Sequence, residues 1–431
     1  MTRPPVIALF PEASFGAALN CVGIARELAA RGAEPVFLCH PGFTGVFAEY
    51  GFREYHLQPE PAAAQGRGET YWQNFVNTHL AHFDLSPLNQ LEAYVAPTWE
   101  AIVDTVIAVE DSLEALLNQI QPDAILLDNV IMFPAILRSG KPWARVVSCA
   151  ETEIPDPLVP PYLSGLSPED AGGRAAWEKA AAAILKPAHN RYNAFRRARG
   201  LRPLPGGQFL ENSDWLNLLL APSAVRYERA QALPEELFVF LEGCVREEVP
   251  FDPPPLPVND GPLVYMSFGS LGAIDTEQIG RMIEVFATLR ARFYVNVGGF
   301  MDAYRRVPDN VFLGSWFPQP SVVAQSALFI HHGGNNSFCE ALFHGVPSLV
   351  MPYCWDGHDN ARRTQDTGVG RAMHRSDWSP DGLRATITGL LEDHALRARL
   401  KAISTRMKAE PGVRRAAEAV LERLSVAVET A

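Results

Sequence analysis

A histidine and two glycines just before a helix form the segment whose residue types are best suited to chemistry. The run from Phe329 to Leu342 contains a strand end, then His332, Gly333 and Gly334, and then a helix predicted to begin near Ser337. Glycines let the backbone come close to a ligand. The first turn of a helix directs N–H groups and the positive end of the helix dipole outward. The segment therefore predicts an anion site.

Side chains in the same segment could bind the parts of a nucleotide. His332 can donate a hydrogen bond to a phosphate oxygen, and Ser337 can cap the helix or bind the same phosphate. Glu340, one turn further, can accept hydrogen bonds from two neighbouring hydroxyls such as those of a ribose. Each residue alone also fits a plainer interpretation, in which Asn336 or Ser337 only caps a helix and His332 is a satisfied strand-end histidine.

Further motifs in the second half of the chain occur in a fixed order. They are Trp316–Gln319 (WFPQ), His332–Ala341 (HGGNNSFCEA), Gly345–Pro347 (GVP) and Pro352–Ala361 (PYCWDGHDNA). This order resembles the donor-binding signature of glycosyltransferase family 1, the UDP-glucuronosyltransferase-like group that uses nucleotide sugars. Its signature is W-x-P-Q, H-x-G-x-N-S/T-x-x-E-A, G-x-P and P-x-x-x-D-Q-x-x-N-A. The run Tyr265–Ser270 is similar to the first strand and loop of that family's C-terminal domain.

The resemblance implies a fold, a reaction and a set of donor-binding residues. The fold would be α/β, of the GT-B type, in which two Rossmann-like domains with parallel sheets face each other across a cleft. The reaction would be transfer of a sugar from a nucleotide sugar with inversion at the anomeric carbon. The implied roles are nucleobase stacking by Trp316, nucleoside contact by Gln319, diphosphate binding by Ser270, His332, Gly334, Asn336 and Ser337, ribose binding by Glu340, and sugar binding by Asp356.

The pair of residues that reads the donor sugar departs from the family pattern. Where the family has Asp-Gln, this chain has Asp356-Gly357, so the amide that contacts sugar hydroxyls is absent. His358 or Asp359 could take its place. A UDP-sugar is the favoured donor, and a dTDP-sugar is the second option.

The position of the general base also departs from the pattern. Family members place a His, or sometimes an Asp, in the loop after the first strand, and the matching residue here is Ala17. Asp128 stands at the end of a later strand, where it could accept the acceptor's proton directly or through water; capping the next helix is its alternative role. Weaker candidates in or beside the first loop are Glu12, Ser14 and Asn20.

Alternating strand and helix patterns place these motifs on two α/β halves. Strands are predicted at Val6–Phe10, Val36–Cys39, Ala124–Leu127, Arg145–Ser148, Leu263–Phe268, Phe293–Val297, Ser326–Ile330 and Ser348–Met351. The predicted domains are an acceptor-binding domain over residues 1–245, a Pro-rich linker over 246–262, a nucleotide-sugar domain over 263–410, and a helix over 411–431 that packs back on the first domain. Segments without strand spacing, Gln58–Tyr94 and Glu151–Gly207, are rich in aromatic residues and Pro.

Composition excludes several classes of protein. The chain has 431 residues and a formal net charge of −12, and it lacks the basic runs that bind nucleic acid or anionic membranes. Its six cysteines form no C-x-x-C pair, and no signal-peptide core or membrane span is visible. We therefore expect a cytoplasmic protein. Dinucleotide, P-loop and D-x-D motifs are absent, so no NAD, ATP or metal cofactor is expected.

Together these observations predict a metal-independent inverting glycosyltransferase acting on a small hydrophobic or aromatic acceptor of the natural-product type. Three alternatives stay open at this point. They are a catalytically idle helper protein that binds nucleotide sugars, a GT-B epimerase acting on a UDP-sugar, and a structural or interaction module. The acceptor-binding residues and the oligomeric state are not predicted.

Overall fold

Two parallel β-sheets, each covered by helices, make up the computed structural model, which describes residues 3–59, 78–258 and 260–429. The first sheet has seven strands in the order β3-β2-β1-β4-β5-β6-β7, and the second has six in the order β10-β9-β8-β11-β12-β13. Every strand pair is parallel. Strand orders that run outward in both directions from a central pair are typical of Rossmann-like sheets. The predicted α/β class is confirmed.

The elements have the following bounds. The strands of the first sheet are β1 (Val6–Pro11), β2 (Glu34–Cys39), β3 (Arg53–His56), β4 (Ala124–Asp128), β5 (Trp143–Val147), β6 (Leu216–Leu220) and β7 (Phe238–Leu241). Those of the second are β8 (Leu263–Ser267), β9 (Arg292–Asn296), β10 (Val311–Gly314), β11 (Leu328–His331), β12 (Ser348–Val350) and β13 (Gly370–Ala372).

Helices connect the strands and cover both sheets. They are α1 (Phe15–Ala30), α2 (Pro87–Gln90), α3 (Ala96–Ile120), α4 (Pro134–Arg138), α5 (Ala171–Ile184), α6 (Lys186–Ala198), α7 (Gly269–Gly272), α8 (Thr276–Phe286), α9 (Gln319–Val323), α10 (Asn335–His344), α11 (Gly357–Thr367), α12 (Pro380–Glu392), α13 (His394–Ala409) and α14 (Gly412–Glu429). Shorter turns of helix cover Pro41–Phe43, Ala48–Tyr50, Leu80–Asp84, Leu91–Val95, Glu151–Glu153 and Met301–Ala303.

The first sheet buries alternate residues against different layers, because successive side chains of a strand point to opposite faces. Ala8 and Phe10 of β1 belong to the core that also holds residues of α3. Ile7 and Leu9 belong to a second core together with α1 and α14.

The last helix, α14, lies against α1 rather than against the second sheet. Val413, Ala416 and Val420 are buried in the same core as Val22 of α1. The described residues between 242 and 262, which join the two sheets, contain neither helix nor strand. The domain limits drawn from the sequence stay a prediction.

None of the helices in the described ranges combines the length and the apolar character that are needed to cross a membrane.

A buried carboxyl group in α3 should make stability depend on pH. Glu110 is fully buried and burial raises its pKa from 4.5 to about 7, although Arg199 opposes the shift. A carboxyl whose native pKa is raised favours folding while protonated, and this contribution disappears as the pH rises through the native pKa. We therefore expect Glu110→Gln to stabilise the protein by about 3 kcal/mol near pH 8.5, at about 1.4 kcal/mol for each pKa unit, and by little near pH 4. Urea unfolding at the two pH values measures the difference.

Glu114, one turn further along α3, supplies the control for this prediction. Its side chain is partly exposed and pairs with Arg138 at 2.8 Å. Glu114→Gln should therefore change the free energy of unfolding by less than about 1 kcal/mol at either pH. A gain for Glu110→Gln that is equal at both pH values would contradict the assignment to ionisation.

Candidate functional site

Helix α10 begins directly against the loop that precedes α11. Its first residue is Asn335 and its cap is Gly334, which follows strand β11. Gly333 has a φ of +92°, and a Cβ atom there would lie 2.7 Å from the Gly357 carbonyl oxygen. The Asn360 side chain donates a hydrogen bond of 2.7 Å to the Gly333 carbonyl. Glycine is therefore required where these two loops cross.

His332 stands beside this helix start with an unused polar atom. Its ring stacks on Tyr353 with the ring centroids 5.1 Å apart, and Tyr353 donates a hydrogen bond of 3.0 Å to the Phe268 carbonyl. Among the described residues the Nδ1 atom of His332 has no hydrogen-bond partner. Burial lowers the pKa of His332 to about 4, so the imidazole is neutral at neutral pH. A buried polar atom left unpaired is suited to a ligand that supplies the partner.

The loop after β8 faces the same histidine. A Cβ atom on Gly269 would lie 3.1 Å from Cε1 of His332. Ser270 follows it in the short helix α7, but its side chain lies outside the part that the structure describes. Its predicted contact with the diphosphate stays a prediction.

Asp356 occupies the N-terminus of α10. Its Oδ2 atom accepts a hydrogen bond of 2.8 Å from the Asn335 backbone N–H. Burial raises the pKa of Asp356 to about 8, so this carboxyl is mostly protonated at neutral pH. A neutral group at a helix N-terminus leaves the positive end of the dipole available to an anion.

Three of the residues predicted to bind the nucleoside and phosphate form one hydrogen-bonded cluster. Gln319 donates through Nε2 to Ser337 Oγ at 3.1 Å and to Glu340 Oε2 at 2.7 Å. Tyr265 donates to the Oε1 atom of Gln319 at 3.4 Å. The helix begins at Asn335, two residues before the predicted start near Ser337, and its cap is Gly334, so the interpretation in which Asn336 or Ser337 only caps the helix is wrong.

A buried arginine that the sequence did not reveal completes this cluster. The Nη1 atom of Arg246 lies 3.3 Å from Glu340 Oε1, and its Nε atom lies 2.6 Å from Glu248 Oε1. Tyr50 donates to the same Glu248 oxygen at 2.8 Å. Burial raises the pKa of Glu340, and Arg246 opposes that shift. Arg246 lies 94 positions before Glu340, and no local pattern marks such a pair.

Trp316 lies in the loop between β10 and α9 and has 61% of its surface exposed. Large aromatic side chains that are this exposed are available for stacking. Its predicted role against a nucleobase is compatible with this exposure and is otherwise untested.

Several predicted donor residues contact the first half of the chain. Asn336 donates to the Gly16 carbonyl at 2.7 Å. His358 Nε2 lies 2.9 Å from Gln90 Oε1. The side chains of these two donor-site candidates therefore span the boundary between the two sheets.

Asp359, the other residue that could replace the missing glutamine of the family pattern, is also hydrogen-bonded to the first half of the chain. It accepts hydrogen bonds from Thr152 Oγ1 at 2.6 Å, from the Leu163 N–H at 2.9 Å and from the Gly165 N–H at 2.8 Å. Burial raises the pKa of Asp359 to about 6. Its four oxygen lone pairs are mostly used, so it anchors the segment after β5 onto α11.

Asp128, the predicted base, ends strand β4 inside the first half. Its side chain accepts a hydrogen bond of 2.5 Å from Ser148 Oγ and lies 3.7 Å from Cys21 Sγ. Burial raises the pKa of Asp128 well above the ordinary range of an aspartate. Ala17, the family's usual base position, is buried in the first turn of α1.

Only part of the aromatic-rich segment Gln58–Tyr94 lies within the described residues. Tyr71, Trp72 and Phe75 lie outside the described residues. Phe83 is buried against Tyr353, with ring centroids 4.9 Å apart. Within the described ranges no group of three or more metal-binding side chains occurs, and independence from metal ions stays a prediction.

Comparison with known proteins identifies sequences that are similar to this chain. Residues 287–423 match the family model described as the erythromycin biosynthesis protein CIII-like C-terminal domain. Oleandomycin glycosyltransferase from Streptomyces antibioticus is 24% identical over 430 residues, which is 97% of this chain and 91% of that protein. The 3-alpha-mycarosylerythronolide B desosaminyl transferase of Saccharopolyspora erythraea is 33% identical over 143 residues, a third of each chain.

Solved structures share the same architecture. The glycotransferase of kitacinnamycin superposes with a TM-score of 0.70 at 21% identity, covering 98% of this chain and 100% of that one. A spinosyn rhamnosyltransferase complexed with thymidine diphosphate superposes with a TM-score of 0.62 at 17% identity, covering 97% and 100%. At these identities the likeness shows the fold, which is GT-B.

Proposed function

We propose that this chain, which has the GT-B fold and is similar to family 1 glycosyltransferases, moves a sugar from a nucleoside diphosphate sugar to a small apolar acceptor of the natural-product type, with inversion. The observation that carries the donor half is the buried Nδ1 atom of His332, two residues before the cap of α10, which has no hydrogen-bond partner among the described residues. The proposed roles of the other donor residues are those given by the resemblance.

The chemistry requires stabilisation of a leaving group. As the bond between the sugar and the diphosphate breaks, negative charge builds up on the diphosphate. The neutral imidazole of His332 donates a hydrogen bond to it, and the dipole of α10 favours it. A protonated Asp356 would avoid repelling that charge.

The donor nucleotide is proposed as uridine or thymidine diphosphate, with the UDP-sugar favoured by the donor motifs. The spinosyn relative that holds thymidine diphosphate supports the second option. Relatives named for oleandomycin and erythronolide support an acceptor of the natural-product type. Phe15, the first residue of α1 after the loop that follows β1, has about half of its surface exposed and supports an apolar acceptor. Independence from metal ions is part of the proposal.

Nucleotide binding provides the first test. We expect UDP or thymidine diphosphate to bind in isothermal titration calorimetry, and His332→Ala to weaken that binding by about 10- to 100-fold, the worth of a hydrogen bond to a charged group. His344→Ala is the matched control, since His344 is buried at the opposite end of the same helix and its pKa is likewise lowered to about 4. If neither nucleotide binds the wild-type protein, the proposal is wrong.

Turnover provides the second test. The protein is incubated with UDP-glucose or TDP-glucose and a panel of macrolide, polyketide and phenolic acceptors, and products are identified by mass spectrometry. Release of the nucleoside diphosphate that depends on an acceptor, with a glycosylated product, supports the proposal. Binding without any transfer would indicate an idle helper protein, and an altered sugar still attached to its nucleotide would indicate an epimerase.

A further inference from the structure

We propose that Glu12 is the general base that removes the proton from the acceptor hydroxyl, in the place of the histidine that Ala17 cannot supply. This inference rests on the proposed transfer reaction. It concerns the loop that connects β1 to α1, on the side of the first sheet that meets the donor helix.

The backbone places Glu12 at the carboxyl edge of the two central strands of the first sheet. Glu12 directly follows β1, and its N–H donates a hydrogen bond of 2.8 Å to the carbonyl of Asp128 at the end of β4. In open parallel sheets ligands bind outside the carboxyl ends of the strands, where the connections diverge to either side. The strand order diverges at this pair, since β2 lies on one side of β1 and β5 on the far side of β4.

The same loop touches the donor helix. The Gly16 carbonyl, four residues after Glu12, accepts a hydrogen bond of 2.7 Å from the side chain of Asn336 at the start of α10. The charge of Glu12 also contributes to the raised pKa of Asp356, which accepts a hydrogen bond from the first N–H of that helix. The Glu12 carboxyl is therefore close to both the acceptor side and the proposed diphosphate site.

Other side chains of the loop and of β4 are poorer bases. Ala17 has no titratable group, and Asn20 is a buried amide. Ser14 caps α1, and its hydroxyl donates a hydrogen bond of 2.7 Å to Glu12 Oε1. Asp128 is only 2% exposed, and each of its two oxygens already has a side-chain partner, Ser148 for Oδ1 and Cys21 for Oδ2. Glu12 is partly exposed, and Ser14 donates a hydrogen bond to its Oε1 atom.

The groups that face Glu12 set its ionisation near neutral pH. They are the carboxyls of Asp128 on β4, Glu153 after β5 and Asp356 before α11, the Cys149 thiol, the Tyr162 hydroxyl and the Ser14 hydroxyl. The positively charged Arg145 side chain forms an ion pair with Glu153 at 2.9 Å. Burial raises the pKa of Glu12 to about 7, with Glu153 adding to the shift and Ser14 opposing it. A base is most effective when its pKa lies near the working pH.

The step balances without any further reagent. The acceptor oxygen forms a bond to the anomeric carbon while its proton passes to the Glu12 carboxylate. The bond between that carbon and the diphosphate oxygen breaks, and its electron pair leaves with the nucleoside diphosphate. Glu12 then releases the proton to solvent.

Glu12→Gln tests the inference with the acceptor found in the turnover screen and with two fixed probes, an aliphatic alcohol and 4-nitrophenol. For the alcohol we expect kcat to fall by about 100-fold or more, which is the usual worth of a general base. For 4-nitrophenol, which is about half ionised at neutral pH and so supplies its own phenolate nucleophile, the loss should be less than about tenfold. Nucleotide affinity, measured by calorimetry, should change by less than about threefold, which also shows that the variant is folded.

The pH profile separates a chemical role from a structural one. In the wild-type enzyme kcat/KM should fall as the pH decreases through about 7, because the base must be deprotonated. Glu12→Gln should lose this acidic limb, and Glu12→Asp should restore part of the rate together with the limb. Ser14→Ala should move the limb to higher pH, because the Ser14 hydroxyl lowers the pKa of Glu12.

Two outcomes would overturn the inference while leaving the proposed function intact. One is a Glu12→Gln enzyme that transfers sugar at more than a third of the wild-type rate with an unchanged acidic limb. The other is an Asp128→Asn enzyme that loses the limb while Glu12→Gln retains it. A wild-type protein that binds no nucleotide would instead contradict the proposed function itself.

Discussion

Replacing Arg246 with methionine should lower the free energy of unfolding by about 3–5 kcal/mol, the usual cost of breaking one side of a buried ion pair. The guanidinium lies between Glu340 and Glu248, and all three side chains have at most 6% of their surface exposed. Without it, two carboxyl groups remain buried with no opposite charge. Urea unfolding of the wild type and the variant at pH 7 measures the loss.

Two further variants separate the ion pair from the loss of an arginine side chain. Arg290 makes a 2.9 Å pair with Asp260 on the surface, so Arg290→Met should cost less than about 1 kcal/mol. In the double variant Arg246→Met, Glu340→Gln, part of the stability should return because one unpaired charge is removed with its partner. A loss below about 1 kcal/mol for Arg246→Met alone would show that the buried pair contributes nothing.

Replacing Gly333 with alanine should destabilise the protein by about 3 kcal/mol or more and abolish nucleotide binding. The residue has a φ of +92°, which is strained for any residue with a side chain, and the added Cβ would lie 2.7 Å from the Gly357 carbonyl oxygen. Relief of this contact requires the loops before α10 and α11 to move apart. That movement would displace His332 from the helix start. Thermal unfolding and calorimetry with UDP measure the two effects.

Gly280 provides the matched comparison for Gly333. It lies inside α8, and no atom outside that helix's own backbone would lie within 4 Å of an added Cβ. Gly280→Ala should therefore stabilise the protein by about 0.5–1 kcal/mol, since alanine loses less backbone freedom in a helix than glycine does. A Gly333→Ala protein that binds UDP as well as the Gly280→Ala protein does would show that the two loops tolerate separation.

The elements that carry the proposed nucleotide site could be located from the sequence because their residues lie close together along the chain. His332, Gly334, Asn336, Ser337 and Glu340 fall within nine positions, so one strand, one turn and one helix fix their relative places. Hydrophobic runs bounded by turns also identified eight of the strands correctly. By contrast, five strands escaped prediction: β3, β6, β7, β10 and β13. All of them except β6 are edge strands, and β3 and β13 are also short and carry polar residues.

Contacts between distant segments could not be predicted. The pairing of Arg246 with Glu340, and the three hydrogen bonds from the segment after β5 to Asp359, depend on how the two sheets face each other. No periodicity or spacing encodes such a relation. For the same reason the sequence could not rank Glu12 above Ser14 and Asn20 as the proposed base. Only the pairing of β1 with β4 shows that Glu12 directly adjoins Asp128.

The final helix has a consequence for how enzymes of this kind can be recombined. Although α14 follows the donor half in the chain, Val413, Ala416 and Val420 are buried with α1 and the first sheet. A Cβ atom on Gly23 of α1 would lie only 2.7 Å from a Val413 methyl group, so the two helices are fitted closely to each other. A chimera that exchanges halves between two parents must therefore take residues 412–429 from the parent that provides the first sheet.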